Sequence, residues 1–138
     1  MNVMKPQIIN VFTNLKKLKI DGIHFSGEEW KAEYKRWWKN GKLYQHFFHI
    51  HLYKYRGEYK TWFRNGQLEV HNHFNDKGKR EGEYKEWWDN GKLRIHCFFN
   101  GKNIENPYRG EYKRFNNKGT LIQHIIFNDD GSLKEKII

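Results

Sequence analysis

Eight histidines and one cysteine are the residues of this chain with the widest chemical repertoire, because imidazole and thiolate bind metals, move protons and attack electrophiles. Their spacing narrows that repertoire. His46, His71 and His96 recur every 25 residues, and His124 follows after 28. On equivalent strands of successive hairpins, neighbouring members would stand two strands, or about 10 Å, apart. Ligands of one ion lie about 2 Å from it, so these residues do not share a metal. His49 with His51, and His71 with His73, share a face locally, yet their side chains start about 7 Å apart. No metal and no cofactor is expected. Serine occurs only as Ser26 and Ser132, the lone Cys97 falls among apolar residues, and no glycine-rich phosphate loop, paired-carboxylate cleft or zinc signature is present. With no catalytic residues to name, the expectation is a protein that is not an enzyme.

The elements that must position the histidines form a repeat. Gly57-Glu58-Tyr59-Lys60-Thr61-Trp62-Phe63-Arg64-Asn65-Gly66-Gln67-Leu68 recurs as Gly82-Glu83-Tyr84-Lys85-Glu86-Trp87-Trp88-Asp89-Asn90-Gly91-Lys92-Leu93. An earlier copy starts at Ala32-Glu33-Tyr34-Lys35, and a later one at Gly110-Glu111-Tyr112-Lys113. Leu18, Leu43, Leu68, Leu93 and Leu121 extend the register back to a half-repeat. The longer last interval places a lengthened loop around Asn103 to Arg109, where Asn106 and Pro107 favour a turn. This gives an N-terminal cap segment over 1–17, a repeat domain over 18–131, and a tail or edge strand over 132–138.

Asn-Gly between runs of aromatic and β-branched residues predicts a two-residue hairpin loop of type I′. From Asn90-Gly91 the pairing then runs Trp88 with Leu93, Trp87 with Arg94, Glu86 with Ile95, Lys85 with His96, Tyr84 with Cys97 and Glu83 with Phe98. One face carries Tyr84, Glu86, Trp88, Leu93, Ile95, Cys97 and Phe99, and is the better core candidate. The other repeats a Glu, a Lys, an aromatic residue and a His in every copy. The fold class is all-β: an elongated single antiparallel sheet, a meander of β-hairpin repeats. Ile8, Val11, Phe12, Leu15 and Leu18 fall at helical spacing and predict a short N-terminal helix as a cap on the sheet.

The chain has 138 residues, 37% of them hydrophobic and 17% aromatic, and a net charge of +10. Rings therefore supply the buried area, and the basic excess favours anionic partners. One cysteine cannot close an intramolecular disulfide, and the first residues show no secretory pattern, so a cytoplasmic or other intracellular setting is expected, with no transmembrane segment.

The second face holds the candidate partner-binding residues Trp37, Trp62, Trp87 and Phe115, with Lys35, Lys60, Lys85 and Lys113, and His46, His71, His96 and His124. Two readings fit them. The first is a structural or protein-protein interaction scaffold, binding a protein or a second copy through the aromatic column. The second is sequence-tolerant binding of nucleic acid or an anionic surface by stacking on the Trp and pairing with the Lys. The recurring Glu33, Glu58, Glu83 and Glu111 lie among those cations and weaken the second.

The pattern Gly-Glu-Tyr-Lys-x-Trp-x-x-Asn-Gly-x-Leu resembles the MORN repeat variants of bacterial antitoxin-type proteins and of expanded families in large DNA viruses, over residues 18 to 131. It lacks the denser glycines of the standard MORN unit. The resemblance implies a single curved sheet of hairpins, used as a scaffold or binding module, and adds neutralisation of a partner toxin as a third function. It brings no ligand or catalytic motif to carry across.

Overall fold

The protein is described by a computed structural model covering residues 7–11, 18–19, 23–24, 31–50 and 54–138. Four hairpins follow one another along the chain: β4 (Lys31–Trp37) with β5 (Leu43–Ile50), β7 (Gly57–Trp62) with β8 (Leu68–Phe74), β9 (Glu81–Trp87) with β10 (Leu93–Asn100), and β11 (Gly110–Phe115) with β12 (Leu121–Phe127). Flanking them are β1 (Gln7–Val11) and β13 (Leu133–Lys136). All pair antiparallel in the order β1-β4-β5-β7-β8-β9-β10-β11-β12-β13, an open sheet. The two-residue strand β6 (Lys54–Tyr55) pairs with the end of β5, and β2 (Leu18–Lys19) pairs with β3 (Ile23–His24) in a separate ribbon. From β7 to β13 each strand pairs with the next in sequence, as expected of a hairpin repeat.

The N-terminal cap differs from the predicted helix. Residues 12–17 of that helix lie outside the described residues. Within Gln7–Val11 the backbone is a strand, registered on β4 from Gln7 opposite Trp37 to Val11 opposite Glu33. Two isoleucines and a valine in five residues favour extended backbone, and a strand pairs the β4 edge directly.

The turns also differ from prediction. Trp88 N–H donates to Lys92 O at 2.8 Å and Gly91 N–H to Trp88 O at 2.9 Å, which makes a three-residue loop, Asp89-Asn90-Gly91, with Gly91 at φ 82°. This is a type I turn closed by a left-handed residue, where glycine carries no steric penalty. The Asn90 side chain stabilises it by accepting from Lys92 N–H at 3.0 Å. The extra loop residue brings Leu93 opposite Trp87, and a bulge at Arg94 restores the expected register at Glu86 opposite Ile95. The other hairpins bulge at Tyr44, Glu69 and Ile122. Consequently Leu43, Leu68, Leu93 and Leu121 leave the predicted core face and join the Trp residues on the opposite one.

The core is a layer of rings on the tyrosine face. Tyr34, Phe47, Tyr55, Tyr59 and Phe74 form one array with centroid separations of 4.9 to 6.0 Å. Tyr84, Phe99, Tyr108, Tyr112 and Phe127 form another. With no second layer over this face among the described residues, only Phe47, Cys97 and Phe99 are fully buried hydrophobic residues there.

Candidate interaction face

Strand alternation puts Glu33, Lys35 and Trp37 on one side of β4, and pairing places Phe48, His46 and Leu43 opposite them. The same six positions recur in every hairpin, so all twelve residues singled out from the sequence share one face. The inter-hairpin registers, His46 opposite Lys60, His71 opposite Lys85 and His96 opposite Lys113, join the copies into continuous rows. Across the sheet run an apolar row of Trp or Phe alternating with Leu, a row of Lys alternating with His, and a third row containing the glutamates.

The glutamate is the residue that sequence reasoning underrated. Each one reaches both the Lys of its own strand and the His of the partner strand. Glu33 lies 3.2 Å from Lys35 Nζ and 2.6 Å from His46 Nε2. Glu58 lies 3.6 Å from Lys60 and 3.3 Å from His71, and Glu83 2.8 Å from Lys85 and 3.3 Å from His96. Glu111 pairs with Lys113 and stands 3.4 Å from His124 Nε2, which is too poorly aligned for a hydrogen bond. A carboxylate thus touches both the Lys and the His that stand opposite each other across the hairpin. The hydrogen bond from Lys85 holds the Glu83 carboxyl below the usual carboxylate range, against slight desolvation and with help from His96. Glu58 is also lowered, desolvation opposing Lys60 and His71. With these two carboxyls held low, Lys60 and Lys85 each keep a counter-charge beside them.

What stacks hairpin on hairpin is a ladder of turns. Asn40 Nδ2 donates to Arg64 O at 3.0 Å, Asn65 to Asp89 O at 2.8 Å, and Asn90 to Asn117 O at 2.8 Å. Trp38 Nε1 donates to Trp62 O at 3.2 Å and Trp88 Nε1 to Phe115 O at 3.3 Å. The fourth turn, Asn117-Lys118-Gly119, carries Lys118 where the other three have Asn.

A column missed in the sequence lies on the tyrosine face. Tyr55, Arg80 and Tyr108 stand two residues before Gly57, Gly82 and Gly110, a spacing that would have revealed them. Tyr55 contacts Phe47, Tyr59 and Phe74, and Tyr108 contacts Phe99, Tyr112 and Phe127. Arg80 instead sets its guanidinium over Tyr84 and Phe99. Cys97, opposite Tyr84, is 1% exposed, and burial pushes its thiol up to about 12. Among the described residues, no group of three His, Cys, Asp or Glu is placed to hold a metal ion. Nor is there a helix among them long and apolar enough to cross a membrane.

Comparison with curated proteins finds no match, and comparison with solved structures finds none. Residues 55–76 and 80–100, the second and third copies, match the family model described as the MORN repeat variant. The first and fourth copies share their hairpin, their bulge and their Glu/Lys/His pattern. The second and third copies are thus similar to the MORN repeat variant, and a sheet built from such hairpins fits a structural or interaction repeat protein.

Proposed function

We propose that this chain is a non-enzymatic repeat protein that presents the Trp/Lys/His face to a protein partner, or to a second copy of itself. The observation that carries this reading is the glutamate beside every lysine of the row, which leaves the row nearly charge-balanced next to an apolar row of Trp and Leu. Protein interfaces draw their energy from such partly buried aromatic side chains, whereas polyanion binding draws it from unpaired cations that release counterions. The test is light scattering on the purified protein, alone and with any complex it forms, at low salt and at about 1 M, where charge interactions are screened. Association that survives high salt, and weakens at least about tenfold in the Trp62→Ala, Trp87→Ala double variant, is the expected result. Association lost in salt, with the aromatic variant unaffected, overturns it.

The alternative, sequence-tolerant binding of nucleic acid or another anionic surface, draws support from a different place. Along the turn edge Lys39, Lys42, Arg64, Lys92 and Lys118 are exposed, and Asp89 is the one acidic residue among those turns. On that reading a 260 nm absorbing contaminant elutes with the protein at low salt, affinity falls steeply with salt, and reversing the turn-edge lysines abolishes it.

A further inference from the structure

The ring array on the tyrosine face is interrupted once, at Arg80. In the neighbouring repeats the same position holds Tyr55 and Tyr108, each bridging rings on either side. Arg80 lies exposed with its guanidinium 5.8 Å from the Tyr84 centroid and 5.5 Å from that of Phe99, and no carboxylate among the described residues pairs with it. Beside it opens a groove of about 400 Å³, lined chiefly by Phe74, Arg80, Phe99, Lys102, Ile104 and Tyr108, with Lys79 also contributing and no acidic residue.

One wall of the groove is the lengthened loop, found in this copy alone. The loop is held in place. Asn100 Nδ2 donates to Asn106 O at 2.7 Å, and Asn100 Oδ1 accepts from Lys102 N–H at 2.9 Å and Asn103 N–H at 3.1 Å. Asn100 N–H also donates to Pro107 O at 2.7 Å. From this anchored loop Ile104 projects 85% exposed at the rim of the groove.

We infer that this groove docks an acidic segment of a partner protein, one carrying an aromatic or aliphatic anchor beside a carboxylate. The anchor fills the space between Phe74, Phe99 and Tyr108, and the carboxylate meets Arg80 with Lys79 and Lys102 flanking it. Ile104 lines the rim of the groove and projects outward, where a small ligand would leave it wet and a protein surface would cover it. The net charge of +10 opposes a second copy of this chain as the occupant and favours an acidic one. This surface is separate from the Trp/Lys/His face, so either can fail without the other.

The experiment is fluorescence anisotropy with a short fluorescein-labelled peptide alternating glutamate with tyrosine. Controls are the same peptide with alanine for tyrosine, with lysine for glutamate, and a labelled oligothymidylate. Arg80→Tyr installs the residue the two neighbouring copies use, and Ile104→Ser alters an exposed side chain, so both variants keep the fold. The expected result is that each variant weakens the glutamate-tyrosine peptide by about tenfold, the worth of one charge-assisted or apolar anchor, and that both control peptides bind the unaltered protein that much less well. The proposal is overturned by absent binding to the unaltered protein, by full binding to Arg80→Tyr, or by oligothymidylate binding that depends equally on Arg80. If Trp62→Ala with Trp87→Ala abolishes peptide binding while Arg80→Tyr retains it, the groove is excluded and the Trp face stands.

Discussion

Asn40, Asn65 and Asn90 each serve two turns with one side-chain amide, the oxygen closing their own loop and the nitrogen reaching the next. Asn90→Ala removes two exposed hydrogen bonds and should cost about 1–2 kcal/mol in urea denaturation, whereas Lys118→Asn, in the last of these four turns, should be nearly neutral. Glycine at these sites is required to different degrees. Gly41 has φ +84° with nothing within 4 Å of the point a Cβ would occupy, so Gly41→Ala should cost only the left-handed backbone penalty of about 1–2 kcal/mol. Gly131, at φ +88°, would drive a Cβ into the backbone oxygen of Asn106, so Gly131→Ala must displace the lengthened loop and should lower the melting temperature well beyond the Gly41 variant. Cys97 supplies a chemical check. Its pKa is raised to about 12 from 9.0, so the folded thiol should resist alkylation at pH 8 and react once the protein is unfolded. Because the folded state holds that proton more tightly, its contribution to stability is full below about pH 9 and is lost as pH rises toward 12.

At the scale of the element, β13 matters more than its exposed side chains suggest. Its backbone continues the ladder past Lys136, with Ile137 N–H donating to His124 O at 2.8 Å and His124 N–H to Ile138 O at 3.0 Å. Deleting residues 133–138 would bare the polar backbone edge of β12, whose sequence includes Ile125, Ile126 and Phe127. Such an edge invites pairing with another chain, so concentration-dependent oligomers should appear in light scattering. The hairpins also mark how far the sequence could be read. The pairing of Lys85 with His96 and Tyr84 with Cys97 matches the reading from a two-residue loop because the bulge at Arg94 cancels the extra loop residue. The Leu column does not, because a bulge at Arg94 shifts Leu93 by one position, and a one-residue slip exchanges faces. The Glu-to-His contacts escaped for a related reason: they run diagonally between strands, where a one-dimensional pattern shows only direct opposites. Arg80 stood in plain view as a departure from Tyr55 and Tyr108, but its isolation from carboxylates is a three-dimensional fact.

Over the whole molecule, stability is approximately a sum of hairpins and the interfaces between them, since each element touches only its neighbours. Amide hydrogen exchange should therefore be slowest in β7 to β10, the strands in the middle of the order, and should quicken toward β13 as the array frays from its end. Uniform protection across the sheet would show that the repeats unfold as one unit. The direction of the turn ladder has a further consequence. Every asparagine donates toward the later turn, so a copied unit brings a donor for its successor and a carbonyl for its predecessor. Such a gene can lengthen by duplicating an internal 25-residue segment without designing a new junction. The copy with Lys118 departs from that rule: moved inward, it would bring no amide donor for its successor and would interrupt the series.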